Sequence, residues 1–285
     1  MKKVKLIECP RDAMQGWSKM IPTSQKIEYI NSLLRVGFDT IDFGSFVSPK
    51  SVPQMADTQR VLDGLEIGTT KTKLLAIVAN ARGAREAALR DEITHLGFPF
   101  SISETFQFRN TRSTITESYS RVRDIRDICV TKGKKLVIYI SMAFGNPYDD
   151  PYSEDVVLEW VQRMAALGIG IISLADTVGI ATAEQISTVA KSVITQSPGI
   201  EVGAHLHSSP GGWRPKIDAA LTAGCTRIDG ALRGVGGCPM AGDNLVGNMD
   251  TELLIPYFES LGILTDTLNR EALAESIDLA MKIFE

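Results

Sequence analysis

Along this chain, short runs of apolar and β-branched residues alternate with longer stretches in which apolar residues recur every three or four positions. The short runs are VKLIEC (4–9), TIDFGSF (40–46), KLLAIVA (73–79), FPFSISE (98–104), KLVIYISM (135–142), IGIISLAD (169–176), EVGAHLH (201–207) and TRIDGAL (226–232). Most are apolar on both faces, as strands of a parallel sheet covered by helices must be. Between them lie TSQKIEYINSLLRVG, ARGAREAALRDEITHLG, TITESYSRVRDIRDICVTKG, SEDVVLEWVQRMAALG, TAEQISTVAKSVI and WRPKIDAALTAG, all with helical spacing. Several of these open on Ser or Thr and close on Gly, the residues that cap and stop helices. Two further helical stretches, TELLIPYFESLG and REALAESIDLAMKIFE, follow residue 250. Eight strands alternating with helices predict a (β/α)8 TIM barrel with additional C-terminal helices. An open doubly wound sheet is the alternative. GVGGCP (234–239) is a poor dinucleotide fingerprint, because Pro239 stands at the place of the third glycine.

Composition narrows the partners more than the fold. The 285 residues contain no linker-like or low-complexity stretch, so residues 1–285 read as one barrel domain. A net charge of −4 gives no reason to expect nucleic acid or an anionic membrane. No run approaches the roughly 18 apolar residues of a membrane span. The four cysteines, Cys9, Cys129, Cys225 and Cys238, form no CxxC pair and no disulfide framework. The N-terminus lacks a signal-peptide pattern, which makes a reducing cytoplasm the default expectation.

A barrel carries its chemistry where the strands end. The predicted ends are ECPRDAMQ, DFGSFVSPK, SETFQFRN, LADTVG, HLHSS and ALRGVGGCP. His205 and His207, two of only three histidines, sit at i and i+2 on one strand face. They are either packed polar residues or two cis ligands of a metal. Asp12, just after the first strand, can supply an anionic third ligand. Such a set suits Mg2+ or Mn2+, with Zn2+ or Fe2+ harder to exclude. Arg11 reads as a surface ion-pair partner or as a fixed cation where an oxyanion develops. Cys238, among flexible glycines, is an inert thiol or a proton donor. Asn248 could offer an amide oxygen, although spacing does not separate it from Asn244. Asp176 either caps the next helix or faces the site, and Lys50 is a phosphate contact or a solvated loop charge.

Together PRDAMQ (10–15), SFVSPKSVPQMAD (45–57), SETF (103–106), LADTVG (174–179), HLH (205–207), GVGGCPMA (234–241) and GNMDTELL (247–254) resemble the 3-hydroxy-3-methylglutaryl-CoA (HMG-CoA) lyase family. That family belongs to the metal-dependent, TIM-barrel lyases and Claisen-condensing enzymes. The resemblance implies Asp12, His205, His207 and Asn248 as ligands of a divalent cation. It implies Arg11 and Cys238 as catalytic groups, and a ligand histidine such as His205 or an Asp as the group taking the hydroxyl proton. Gln15, Asp42, Lys50 and Asp176 become substrate-site residues. The implied reaction is retro-Claisen cleavage of an acyl-CoA, HMG-CoA, to acetyl-CoA and acetoacetate, as in leucine degradation. No nucleotide cofactor is implied, and a homodimer is the expected assembly. The chain departs from the family's pattern at Ala13 and Gly16 in RDAMQG, at Asp42 where Glu is usual, at Asn146, and at Ser208 where an Asp is usual. These departures leave room for a related lyase or Claisen-type synthase acting on another 3-hydroxyacyl-CoA or 2-oxo acid.

Overall fold

A computed structural model describes residues 2–68, 70–237 and 246–285. Eight parallel strands close on themselves in chain order, so the doubly wound alternative is excluded. They are β1 Lys5–Glu8, β2 Thr40–Ser45, β3 Lys73–Ile77, β4 Ile93–Ser101, β5 Lys135–Ser141, β6 Ile171–Ala175, β7 Glu201–His205 and β8 Arg227–Gly230. Pairing of Ile7 with Asp229, and of Glu8 with Gly230, seals the cylinder between first and last strands.

Around this wall lie α1 Pro10–Gln15, α2 Thr23–Val36, α3 Thr58–Asp63, α4 Ala81–Ala88, α5 Glu104–Thr111 and α6 Ile115–Lys132. They are followed by α7 Glu154–Ala166, α8 Ala183–Gln196, α9 Trp213–Ala223, α10 Thr251–Ser260 and α11 Arg270–Ile283. Local chemistry sets several starts. Thr114 with Glu117 opens α6, and Thr182 with Gln185 opens α8, each as a reciprocal capping box. Ser103 caps α5 by accepting from the Phe106 N–H.

Three local expectations are corrected. The stretch expected to continue one helix to residue 97 is helical only to Ala88, and β4 begins at Ile93. Ile93 pairs with Leu74 of β3, so sheet pairing overrides the helical spacing there. PRDAMQ forms the one-and-a-half turns of α1, with Pro10 at the first helical position, where its missing N–H goes unneeded. SETF begins a separate short helix rather than ending the strand.

Most apolar side chains fill the layer between barrel and helices. The barrel interior is divided. Leu75, Ile77, Val137, Tyr139 and Ile171 form an apolar cluster on the β3, β5 and β6 side. The β1, β7 and β8 side carries the buried charges Arg227 and Asp229 and leads up to His205. At the opposite end, the Val4 N–H donates to Ile263 O at 2.7 Å, which brings the α10–α11 connection under β1. Helix α11 packs on α2, and the buried Ser276 hydroxyl meets Ser32 at 2.8 Å. Among the described residues, no helix is long and apolar enough to cross a membrane.

Candidate active site

The C-terminal ends of the strands surround a cavity of about 250 Å3. Arg11, Asp12, Gln15, His205 and His207 line one side of it. Helix α1 starts directly after β1, so its first turn places Arg11 and Asp12 over the barrel mouth, both buried.

Arg11 is gripped from two directions. Its Nε lies 3.2 and 3.1 Å from the two Asp42 carboxylate oxygens, and its Nη2 lies 2.5 Å from Asp42 Oδ2. Its Nη1 donates to Asp12 Oδ1 at 2.9 Å. A guanidinium has five N–H groups, so one remains on each terminal nitrogen for a ligand in the cavity. Asp42 sits where the pairing of β2 with β3 shifts register, between Asp42 and Gly44. Such irregularities locally re-aim a side chain.

Asp12 is the hub. Its Oδ1 also accepts from Gln15 Nε2 at 2.9 Å, and its Oδ2 accepts from Asn248 Nδ2 at 2.8 Å. Burial alone would raise its pKa. The Arg11 guanidinium, with the two histidine rings and the Asn248 amide, instead holds the carboxyl well below the usual range. Asn248 reaches it because residues 247–250 return along the mouth: His207 and Asn248 form an antiparallel bridge, and Ala231 bridges Asp250. Gly236 lets this crossing happen, since a Cβ there would lie 2.4 Å from Asn248 Nδ2 and its φ of +113° disfavours other residues.

The two histidines are oriented by different partners. His205 Nδ1 meets Asp229 Oδ2 at 3.1 Å. His207 Nδ1 meets the carbonyls of Val246 and Gly247 at 2.9 and 3.2 Å. Burial works against a charged His205 ring, but the Asp229 hydrogen bond and charge outweigh it and raise the pKa. For His207, burial and the neighbouring His205 push the pKa down to about 4, which leaves the ring neutral. With both Nδ1 atoms engaged, each Nε2 is the nitrogen left for a cation.

Asp12, His205 and His207 offer ligand atoms that all lie within 4.8 Å of one another. One carboxylate and two imidazoles converging at a concave mouth fit a divalent cation in chemistry as well as spacing. A second trio, Cys9, His205 and Asp229, meets the same spacing. Its thiol is fully buried, and burial together with Asp229, Asp42, Asp12 and Glu8 pushes its pKa far up, so the thiolate a metal needs is disfavoured.

Other expected residues fall at different distances from this centre. Asp176 is buried, and its Oδ2 accepts from Lys216 Nζ at 2.6 Å while Oδ1 accepts from the Ala181 N–H at 3.1 Å. Lys50 is exposed in the loop after β2, whose Ser48 and Ser51 line the cavity. Cys238 lies outside the described residues, as does Asn244. Ser208 turns its hydroxyl to Ser209 O at 2.8 Å. Sequence reasoning missed Asp229 and Lys216. The Lys216 Nζ also donates to Gly179 O and to His207 O, at 2.9 and 2.8 Å, joining the β6 loop to the second histidine. The strand run TRIDGAL gave a signal for Asp229, an acid inside an apolar strand; Lys216 on a helix gave none.

The fold is a closed TIM barrel whose mouth gathers a carboxylate, two histidines and a buried arginine, a set that could hold a metal ion. Residues 3–279 match the HMGL-like family model, and the chain belongs to that family. It is 34% identical to the cytoplasmic 3-hydroxy-3-methylglutaryl-CoA lyase of Danio rerio over 92% of this chain and 78% of that protein. It is 32% identical to the hydroxymethylglutaryl-CoA lyase YngG of Bacillus subtilis, over 93% of this chain and 88% of the relative. The crystal structure of hydroxymethylglutaryl-CoA lyase from Pseudomonas aeruginosa superposes with a TM-score of 0.90 at 30% identity, covering 99% of this chain and 93% of that one.

Proposed function

We propose that this chain is a divalent-cation-dependent lyase that cleaves HMG-CoA to acetyl-CoA and acetoacetate. The observation that carries the reading is the convergence of Asp12, His205 and His207 beside Arg11, in a chain of the HMGL-like family. In this reading Asp12, His205, His207 and Asn248 hold the cation, and Mg2+ or Mn2+ suits the mixed oxygen and imidazole donors. When bound, the cation lowers the pKa of the substrate's tertiary hydroxyl and orients it.

The chain's own groups do the rest. Arg11, fixed by Asp42 and Asp12, turns its two remaining N–H groups toward the oxygen on which negative charge grows. The hydroxyl proton passes to the Asp12 carboxylate of the ligand set, and the C–O bond becomes that of a ketone as the adjacent C–C bond breaks. The bonding pair passes to the thioester enolate, and Cys238 protonates its carbon. Gln15 helps to hold Asp12 in place. Asp42 is fully used in gripping Arg11. Another 3-hydroxyacyl-CoA is therefore the second reading, since Asp42 stands where the family carries the longer Glu. The soluble partner is an acyl-CoA, in a cytoplasmic compartment.

The test is HMG-CoA cleavage with added Mg2+ or Mn2+, followed by acetoacetate formation. Activity should vanish with EDTA and in His205→Ala, while circular dichroism shows the fold intact. Cleavage that survives both treatments overturns the metal mechanism. Turnover of a different acyl-CoA, with none of HMG-CoA, moves the substrate assignment and keeps the reaction class.

A further inference from the structure

Beneath the mouth lies a buried ion system that the reaction, as derived so far, does not use. Asp229, on β8, is closed off from solvent, and its Oδ2 contacts His205 Nδ1 at 3.1 Å. Its other oxygen has no hydrogen-bond partner among the described residues and lies 3.9 Å from Arg227 Nε. Arg227 is itself fully buried, and its Nη1 lies 4.0 Å from Glu201 Oε1. Two buried charges are tolerated only with counter-charges nearby. Gly203 on β7 gives the arginine its room, because a Cβ there would lie 3.2 Å from three carbons of the Arg227 side chain. The Tyr139 ring closes the remaining side, edge-on to His205 at 5.6 Å between centroids.

We propose that Asp229 is a positioning residue. Its carboxylate holds the proton on His205 Nδ1 and turns Nε2 toward Asp12 and His207, thereby setting the affinity for the cation. The proposal rests on the metal-site reading given above. The geometry distinguishes the two ligands: His207 is oriented by backbone carbonyls, whereas His205 is oriented by an anion. A carboxylate behind an imidazole fixes its tautomer and raises its basicity as a ligand, and loss of such support typically weakens metal binding by about 10- to 100-fold. Arg227 fixes the floor on which that carboxylate stands.

Two measurements on the full chain test this. In the first, metal-stripped protein is titrated with Mn2+ and free ion is followed by EPR, for the wild type, Asp229→Asn, His205→Ala and His207→Ala. Asp229→Asn should raise the Mn2+ Kd by about 10- to 100-fold with a native circular dichroism spectrum. Loss of binding in both histidine variants, with Asp229→Asn unchanged, overturns the positioning role alone. Unchanged binding in the histidine variants instead removes the cation site. The second measurement needs no variant. The chain has three histidines, so imidazole 15N–1H spectra of the Mg2+-bound wild type are readily assigned. His205 should carry its proton on Nδ1; a proton on Nε2 overturns the proposal.

Discussion

Lys216 shows what a single side chain contributes here. Its ammonium is buried on α9 and donates to Asp176, Gly179 O and His207 O. A lysine so enclosed is tolerated because each N–H has a partner, one of them an anion. Lys216→Met should leave Asp176 buried and unpaired, and lower stability by about 3–5 kcal/mol, read from urea denaturation. It should also lower turnover, because His207 loses the contact at its own carbonyl. At this scale the sequence was informative where residue type and position agree. Asp12, His205 and His207 are legible from the strand ends, and the structure brings them together. The orienting groups were not legible. Asp229 acts through a partner 24 positions away in the chain, and the Val246 and Gly247 carbonyls carry no side-chain signal at all.

At the scale of elements, Glu8 joins the end of β1 to two later pieces of the chain. Its Oε1 accepts from the Leu232 N–H at 2.8 Å, and Oε2 accepts from the Thr251 hydroxyl of α10 at 2.6 Å. Burial outweighs those two bonds and pushes its pKa from 4.5 up to about 8. The folded protein therefore keeps a proton that the unfolded chain releases. This stability is fully present below pH 4.5 and is lost as pH rises through about 8, at up to about 1.4 kcal/mol per pH unit between those limits. Glu8→Gln preserves both contacts, with its amide donating to Thr251, and should flatten that slope in thermal melts across the range. A slope equal to the wild type's would assign it to other groups. The elements themselves were legible wherever caps and periodicity agreed, as in α6 and α8. They were misread where tertiary pairing decided, as at Ile93 in β4. Helix α1 was hidden because six residues, most of them buried, show no amphipathic period.

Across the whole molecule, charges of alternating sign run through the barrel: Lys5, Glu201, Arg227, Asp229, His205, Asp12, Arg11 and Asp42. Each anion except the terminal Asp42 lies between cationic or titratable neighbours, so removing one inner member strands those beside it. Arg227→Met should cost about 3–5 kcal/mol by leaving Asp229 and Glu201 without their shared counter-charge. The double variant Arg227→Met, Asp229→Asn should be more stable than the single one, because the pair is coupled. Denaturant curves for both decide this, and a strictly additive loss would dissolve the ladder into independent contacts. The contact of Asn248 with Asp12 has a consequence in time as well as in space. These partners are 236 positions apart. At the pace of translation, about 5–20 residues per second, Asp12 emerges on the order of ten to fifty seconds before Asn248. The nascent chain thus carries Asp12 without its Asn248 partner for most of its synthesis, and any message cut short before that codon yields a barrel fragment in which this contact never forms.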